Sequence, residues 1–438
     1  MALIVKGRSS LKGSTVIGNR PYAIDGYINP ELVADFKRSY YRKSSAKTNF
    51  SGLINFSRAS SATYRDRDGV IQTVGSGVAR TGHHISNGYT FVNEGIFVES
   101  EARTNFLTYS TYEDASGSTP PTDWAIGFNT GTTTFSNSTI ISGNKQVEQT
   151  GTSQRAYLYQ SVGVTAGTTY TLSVYVHEVT STNTTLIITG LSSGWTGSNR
   201  INDNQFSGPG IYSVTFTPAA NDTIQIRIGL GCTSNTTGTV AHEAPQLEAG
   251  ATVSSYIPTS ASSVTRAADV LTIPSANLPY SSSSMSIQVD GVVNGENHVV
   301  TRWFADSSNY ITQSINSSNY TFSQSNSGVI DEVTGGSFFS GTDVPYDIAS
   351  RNGSSFINAA IDGVALTENS TPTALPDLST SDLSLGYDYM GTIGQFRIWA
   401  LDLGDIGISE ATQPSLVPSL NLTFDGTRNS FIVEGWSE

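Results

Sequence analysis

Cysteine is almost missing from this chain. Cys232 stands alone, so no intrachain disulfide can form and a disulfide-stapled secreted scaffold is excluded. Charge is scarce too: Asp, Glu, Lys and Arg make up 13% of the residues, against about a quarter in an average soluble protein. No apolar run approaches the ~18 residues of a membrane-spanning helix, and the short run in MALIVKGRSSLKG is too brief for a signal peptide. The expectation is a protein made in a cytoplasm, with no membrane insertion. The five histidines are scattered. His83 and His84 are adjacent rather than spaced along one face, and Cys232 is far from both, so no zinc pattern is recognisable. No nucleophile, base and orienter can be argued from so few histidines, and no glycine-rich phosphate loop follows a strand.

Small polar residues fill the space that charge leaves. Gly, Ser, Thr and Asn surround short apolar runs, and the hydrophobic fraction of 37% is too high for a disordered chain. At 438 residues there is length for two or three cores. The net charge of −13 is unevenly placed: the first fifty residues hold nine Lys/Arg against three Asp/Glu, a local +6, which leaves −19 for the rest. Such asymmetry marks a basic segment that docks on something acidic, on a body that repels its own copies.

Within that basic segment, Asn29-Pro30-Glu31 reads as a helix start. Leu32, Val33, Phe36 and Tyr40 then share a face, with Lys37, Arg38, Arg42 and Lys43 toward the far end. A short amphipathic helix is expected here. Its functional reading is an anchor on a partner protein; its plain reading is a basic helix packed on its own domain. Nucleic acid is not indicated, because no base-stacking or phosphate-binding geometry accompanies the charge.

Further along, strand patterns dominate. Asp68-Gly69 between Tyr64 and Val70-Ile71 is a hairpin turn, and TFVNEGIFVES alternates around Gly95. Tyr157–Val162, Tyr170–Val176, Leu186–Ile188, Ile211–Phe216 and Ile224–Ile228 follow at regular spacing. In the second half, Ser286–Val289, Val299–Trp303, Tyr310–Ile315, Phe356–Ile361 with its Asp362-Gly363 turn, Leu383–Leu385 and Ile393–Trp399 continue the series. Val253, Tyr256 and Ile257, before Pro258, also read as a short strand, which a serine-rich link follows. The expected fold class is all-β: two sandwiches of jelly-roll or concanavalin-like type, behind a short N-terminal segment containing a small helix. Boundaries fall at 1–50 (anchor), 51–105 (β leader, either part of the second sandwich or a small separate sheet), 106–261 (jelly roll), 262–415 (second sandwich) and 416–438 (a last strand or tail).

Three stretches carry family resemblances. PQLEAGATVSSYIPT at Pro245–Thr259, followed by VTRAAD at Val264–Asp269, resembles a junction in bacteriophage tail-fibre and other virion proteins. There it closes a jelly roll similar to carbohydrate-binding modules, and a segment like EARTNFLTYS at Glu101–Ser110 enters it. GTIGQFRIWALDLGDIGISEAT at Gly391–Thr412 resembles the closing strand and loop of laminin-G or concanavalin-like domains, departing at Gly394-Gln395, where relatives often carry acids. The resemblance implies a non-enzymatic virion protein of a tailed phage, such as a tail fibre or spike. It would attach to other virion proteins through its N-terminus, bind host-surface carbohydrate as a lectin-like receptor-binding protein, and assemble as a homo-oligomer, with a trimer favoured. The alternatives are a capsid decoration or head fibre protein without a receptor role, and a polysaccharide-degrading tailspike. Both resembling families often hold a structural Ca²⁺, though the sequence names no ligand set.

Aromatic side chains are the expected sugar-binding groups, since a sugar ring lays a flat C–H face on an aromatic one. Trp195, in the SSGWTGSN loop, is the first candidate; Trp124 and Trp303 follow, each with a core reading beside it. Tyr387 and Tyr389, flanking Asp388, are further candidates in the second sandwich. The anchor candidates are Phe36, Lys37, Arg38, Tyr40, Arg42 and Lys43. No catalytic residue is expected: the acid pairs Glu99/Glu101, Asp66/Asp68 and Asp402/Asp405 read as turn acids, lacking the aromatic setting of a glycosidase site.

Overall fold

The computed structural model describes residues 28–44, 46–127, 131–181, 183–190, 200–413, 422–424 and 431–433. The fold is all-β, as the sequence implies, with sandwich layers and very little helix. Two of these layers form a host sandwich. A ten-stranded sheet runs in the order Val364–Ala365, Ile357–Ile361, Gly341–Gly353, Ser284–Gly295, Met390–Trp399, Leu32–Asp35, Tyr40–Lys43 and Ala46–Thr48. Phe91–Glu99 and its partner Arg80–Ser86 branch from it, paired on Met390–Trp399. A seven-stranded sheet, from Val329–Gly335 through His298–Asp306 and Leu383–Asp388 to Val270–Ile273 and Asn55–Ser57, lies against it. Between them Leu32, Ile287, Trp303, Phe322, Phe396 and Ile398 form one dry core. Alternation explains the packing: Ile287, Val289, Phe396 and Ile398 point inward, and Gln288, Asp290, Gln395 and Arg397 point outward.

The other two layers form a jelly roll set into this host. Two five-stranded sheets enclose Leu172, Val174, Leu186, Ile226, Val240 and Leu247. In one, Tyr170–Val179 pairs with Gly210–Phe216 on one side and with Thr236–Ala249 on the other. The chain leaves the host after Glu99 and returns at Val264, and the two crossings pair with each other, Arg103–Asn105 against Val264–Arg266. The leader supplies strands to both host sheets. Its hairpin Ala62–Arg65/Ile71–Val74 touches the jelly roll, where Ile71 N–H donates to Ile140 O at 2.6 Å and Thr63 Oγ1 to Tyr256 O at 2.6 Å.

The structure corrects two sequence-based expectations. Leu32–Lys43 is a hairpin, not a helix: Leu32–Asp35 pairs with Tyr40–Lys43 and with Met390–Trp399, and all four of its residues are buried. Apolar residues at 32, 33, 36 and 40 suit either period, and sheet pairing against a ready partner wins. Asp35 closes the turn by accepting from Arg38 N–H and Nη1, each at 2.9 Å, while Ser39 takes a left-handed φ of 52°. The small helix lies instead at Phe50–Leu53, capped by Asn49, which accepts from Gly52 N–H at 2.8 Å. Val253–Ile257 is not a strand. Side chains replace the ladder there: Ser254 N–H donates to Glu248, Ser255 N–H to Glu99 and Ile257 N–H to Gln246.

The interdomain cleft as candidate binding site

The two crossings of the chain bury a set of charges. Glu99 accepts from Arg80 Nη1 at 2.6 Å, Ser255 Oγ at 2.6 Å and Ser255 N–H at 2.8 Å, and Arg266 Nε stands 3.1 Å from it. Asp269 accepts from Arg58 Nη1 at 3.0 Å, from Arg80 Nη2 and from Glu99 N–H at 2.9 Å. Arg80, Glu99, Asp269 and Arg266 are almost wholly out of solvent. Burial by itself would raise the Glu99 carboxyl; Arg266, Arg80 and the Ser255 donors outweigh it and hold it down at about 2. The residues that carry the virion-protein resemblance, Ser255, Arg266 and Asp269 among them, are therefore a structural joint. They fasten the insert to its host.

Above this joint opens a cleft of about 1330 Å³, formed by both sandwiches. That exceeds the ~300–1,000 Å³ of an ordinary small-molecule pocket. One wall is a sheet face of the jelly roll: Thr171, Ser173 and Tyr175 alternate outward on one strand, and Ser213 and Ile211 lie opposite Ser173 and Tyr175 on the next. The opposite wall is Tyr64, His83, His84 and Phe91 of the leader and its hairpins, with the turns at 294–298 and 340–343 and the segment 388–390 completing the rim. Gly69 shows why this wall holds its shape. Its φ is +81°, and a Cβ there would meet the Phe91 ring at 2.3 Å, so the Asp68-Gly69 turn docks on Phe91 only as glycine.

The cleft mixes apolar and polar lining, and its aromatic side is largely uncharged. Burial, with Arg80 and Arg65 nearby, lowers His83 to about 3, so it is neutral; its Nδ1 accepts from Arg65 N–H at 3.3 Å and its ring stacks on Phe97. His298 is likewise lowered by burial and bonds to Asn294 O at 3.0 Å. Glu101, Glu296, Asp343 and Asp388 supply acceptors around the rim. Tyr175 is half-buried, its ring edge-on to His177 at 5.1 Å. The arrangement offers an aromatic surface among hydroxyls, neutral imidazoles and carboxylates, which suits a polyhydroxylated ligand.

Most sugar-binding residues expected from sequence are elsewhere. Trp195 lies outside the described residues. Trp124 is a core residue, 5% exposed, donating from Nε1 to Thr108 O at 2.9 Å with its ring against Tyr112. Trp303 is buried, donating to Leu378 O and Ser381 O. Tyr389 touches the cleft but is 2% exposed, its hydroxyl tied to Tyr346, Val292 O and Thr392 O. These three indole and phenol groups find polar partners inside, so burial costs them little. Tyr387 alone of the described set is open, at 51%. Tyr175 was missed because its strand reads purely as core; its half-polar face, Thr171, Ser173, Tyr175 and His177, was the available signal.

The anchor candidates also have structural partners. Phe36 is buried against Tyr41 and Phe50. Lys37 Nζ is 2.8 Å from Glu94 and 3.5 Å from Asp290, Arg42 donates to Pro30 O, and Lys43 donates to Gly52 O and Asn277. Arg38 bonds Asp35, and Tyr40 stands opposite Asp35 in the hairpin. This part of the basic segment is woven into its own sheet, where Lys47 stands opposite Arg42; the other four basic residues of the expected anchor lie before residue 28, outside the described residues.

Of the acids read as turn acids, Glu99 is instead a buried strand residue of the joint, and others have partners of their own. Asp402 and Asp405 hold Arg351 at 2.9 and 2.6 Å, and Glu101 pairs with Arg103. Asp66 accepts from Asp68 N–H, Val70 N–H and Gln72, so its carboxylate caps its own turn. Among the described residues no group of three or more His, Cys, Asp or Glu could hold a metal ion, and the residues present do not fit a carboxylate-built Ca²⁺ site.

No family model and no curated protein matches this sequence. Among solved structures it is similar to the CBM40 of Ruminococcus gnavus IT-sialidase, at 9% identity over 30% of this chain and 84% of that one, with a TM-score of 0.25. It is also similar to the CBM22-1-CBM22-2 tandem domain of Paenibacillus barcinonensis Xyn10C, at 11% identity over 69% and 100%, with a TM-score of 0.25. The tail fiber protein gp63.1 of E. coli phage G7C matches at 11% identity over 63% and 39%, with a TM-score of 0.21.

Proposed function

We propose that this protein is a non-enzymatic, glycan-binding component of a phage virion, which holds carbohydrate in the cleft between its two sandwiches. The observation that carries the binding role is the jelly-roll wall: the half-buried Tyr175 lines the cleft from a rigid sheet, with Ser173 and Ser213 beside it as hydroxyl partners. Stacking on a fixed aromatic surface fits a sugar's C–H face, and the surrounding donors and acceptors fit its hydroxyls. The virion role rests on the junction Pro245–Asp269. The expected mount is the basic N-terminus, on other virion proteins in a homo-oligomeric appendage such as a trimeric fibre.

The binding role is tested with purified protein on an array of bacterial surface polysaccharides. Tyr175→Ala should weaken the bound glycan about tenfold, ~1.4 kcal/mol, with the thermal midpoint nearly unchanged. Binding that ignores this substitution would move the site out of the cleft, and reducing-end release during incubation would replace binding by hydrolysis. Antibody labelling of intact particles tests the virion role; a label confined to the head surface would favour a decoration protein.

A further inference from the structure

A second surface, on the outer face of the seven-stranded sheet, is built around one arginine. Between Ala267 and Gln413 the sequence holds only three basic residues, Arg302, Arg351 and Arg397, among many acids. Arg351 is spent on Glu368, Asp402 and Asp405. Arg397 donates to Gln288 Oε1 at 2.8 Å and to Ala411 O at 2.7 Å. Arg302 differs: its guanidinium carbon lies 3.6 Å from the Phe304 ring centroid and 4.2 Å from that of Tyr387, and among the described residues it makes no hydrogen bond or ion pair.

The neighbours form a platform. Phe304 is two residues along the same strand and so on the same face, and it pairs with Tyr310 on the next strand, the rings 6.4 Å apart and 27° from parallel. Arg302 stands opposite Thr312 on one side and Ser384 on the other, both partly exposed. Inward, Trp303 and Ile311 lock these strands in the core. Aromatic contacts fix the guanidinium and leave its N–H groups free, and a planar fork of donors matches a carboxylate bidentately. In so acidic a domain, an arginine without a carboxylate partner awaits one from outside.

We propose that Arg302, Phe304, Tyr310 and Tyr387 form a second binding site, for a sugar carrying a carboxylate. Arg302 grips the acid group, the exposed Tyr387 and half-buried Tyr310 rings border the pyranose, and Thr312 and Ser384 meet hydroxyls. None of these four residues lines the cleft, although Tyr387 adjoins Asp388 of its rim, and the site does not need the cleft to bind glycan.

Titration calorimetry on the full chain, with a galacturonic acid tetrasaccharide and its fully methyl-esterified form, tests it. The acid should bind at least tenfold more tightly than the ester. Arg302→Lys, which keeps charge but not the fork, and Tyr387→Ala should each weaken the acid at least tenfold with the thermal midpoint unchanged. Tyr175→Ala should leave it alone. Equal affinity for acid and ester, or insensitivity to Arg302→Lys, would overturn the proposal, as would binding of a sulfated tetrasaccharide in place of the carboxylated one. Loss on Tyr175→Ala alone would overturn it too, and would leave the cleft reading standing.

Discussion

The joint and the cleft occupy the same boundary between the two sandwiches and treat polar groups in opposite ways. In the joint, Arg58, Arg80, Arg266, Glu99 and Asp269 are out of water and engaged with one another and with Ser255. In the cleft just above, Tyr175, His84, Glu101, Glu296 and Asp343 face solvent space. Buried charge needs partners fixed in place, so the joint depends on particular residues at particular positions. Exposed polar groups tolerate exchange, so substitutions in the cleft should perturb the fold less than those in the joint.

Breaking the joint should give the largest effect. Arg80→Ala removes the partner of both Glu99 and Asp269 and leaves two buried carboxylates facing Arg58 and Arg266 alone. Unfolding free energy should fall by about 3–5 kcal/mol. Because the segments it binds come from leader, insert link and host, both sandwiches should destabilise together in calorimetry. A variant that melts within ~1 kcal/mol of the parent would mean that the joint is incidental to holding the domains.

Acid should expose the same difference. The Glu99 carboxyl is held at about 2 against an ordinary 4.5. A depressed folded-state value contributes stability that is fully present above about pH 4.5 and is lost as pH falls toward 2. The shift corresponds to roughly 3 kcal/mol. Glu99→Gln should therefore be less stable at pH 7 and show a flatter fall in stability between those limits. Denaturant unfolding at a series of pH values checks it; equal slopes in the two proteins would detach Glu99 from the acid response.

These contrasts also explain what could be read beforehand. The strand pattern was legible wherever one face is core: Tyr170, Leu172, Val174 and Val176 alternate inward, and Asp362-Gly363 makes its turn with both residues at positive φ. The insertion was legible only as one of two alternatives for the leader, because pairing of Leu32–Asp35 with Met390–Trp399 spans most of the chain and leaves no local mark. The junction motif stood out as the most distinctive stretch, yet its distinctiveness comes from buried ion pairs, which restrict residue choice more than sugar contact does. Tryptophans attracted the eye as ligand groups, and Trp124 and Trp303 satisfy their N–H groups inside the core. Tyr175 and Arg302 owe their setting to neighbours on other strands, Ile211 in one case and Tyr387 in the other, so spacing along the chain conceals them.

The smallest expected effect is at the cleft rim and carries the opposite sign. Asp343 takes a left-handed φ of 56°, and its N–H donates to Asn294 Oδ1 at 2.6 Å. Although the residue is exposed, partial desolvation by the surrounding rim raises its carboxyl above the ordinary 3.8, with Arg65 pulling the other way. A raised folded-state acid favours the protonated form, so its contribution declines as pH climbs from about 4 through the raised value, the reverse of Glu99. Asparagine tolerates this backbone region and carries no charge, so Asp343→Asn should change stability by less than about 0.5 kcal/mol, upward if at all, at pH 7. It still removes one carboxylate acceptor from the rim, so glycan affinity should drop further than stability moves. A loss of more than ~1 kcal/mol would show that the rim is built as tightly as the joint, and the division between the two would fail.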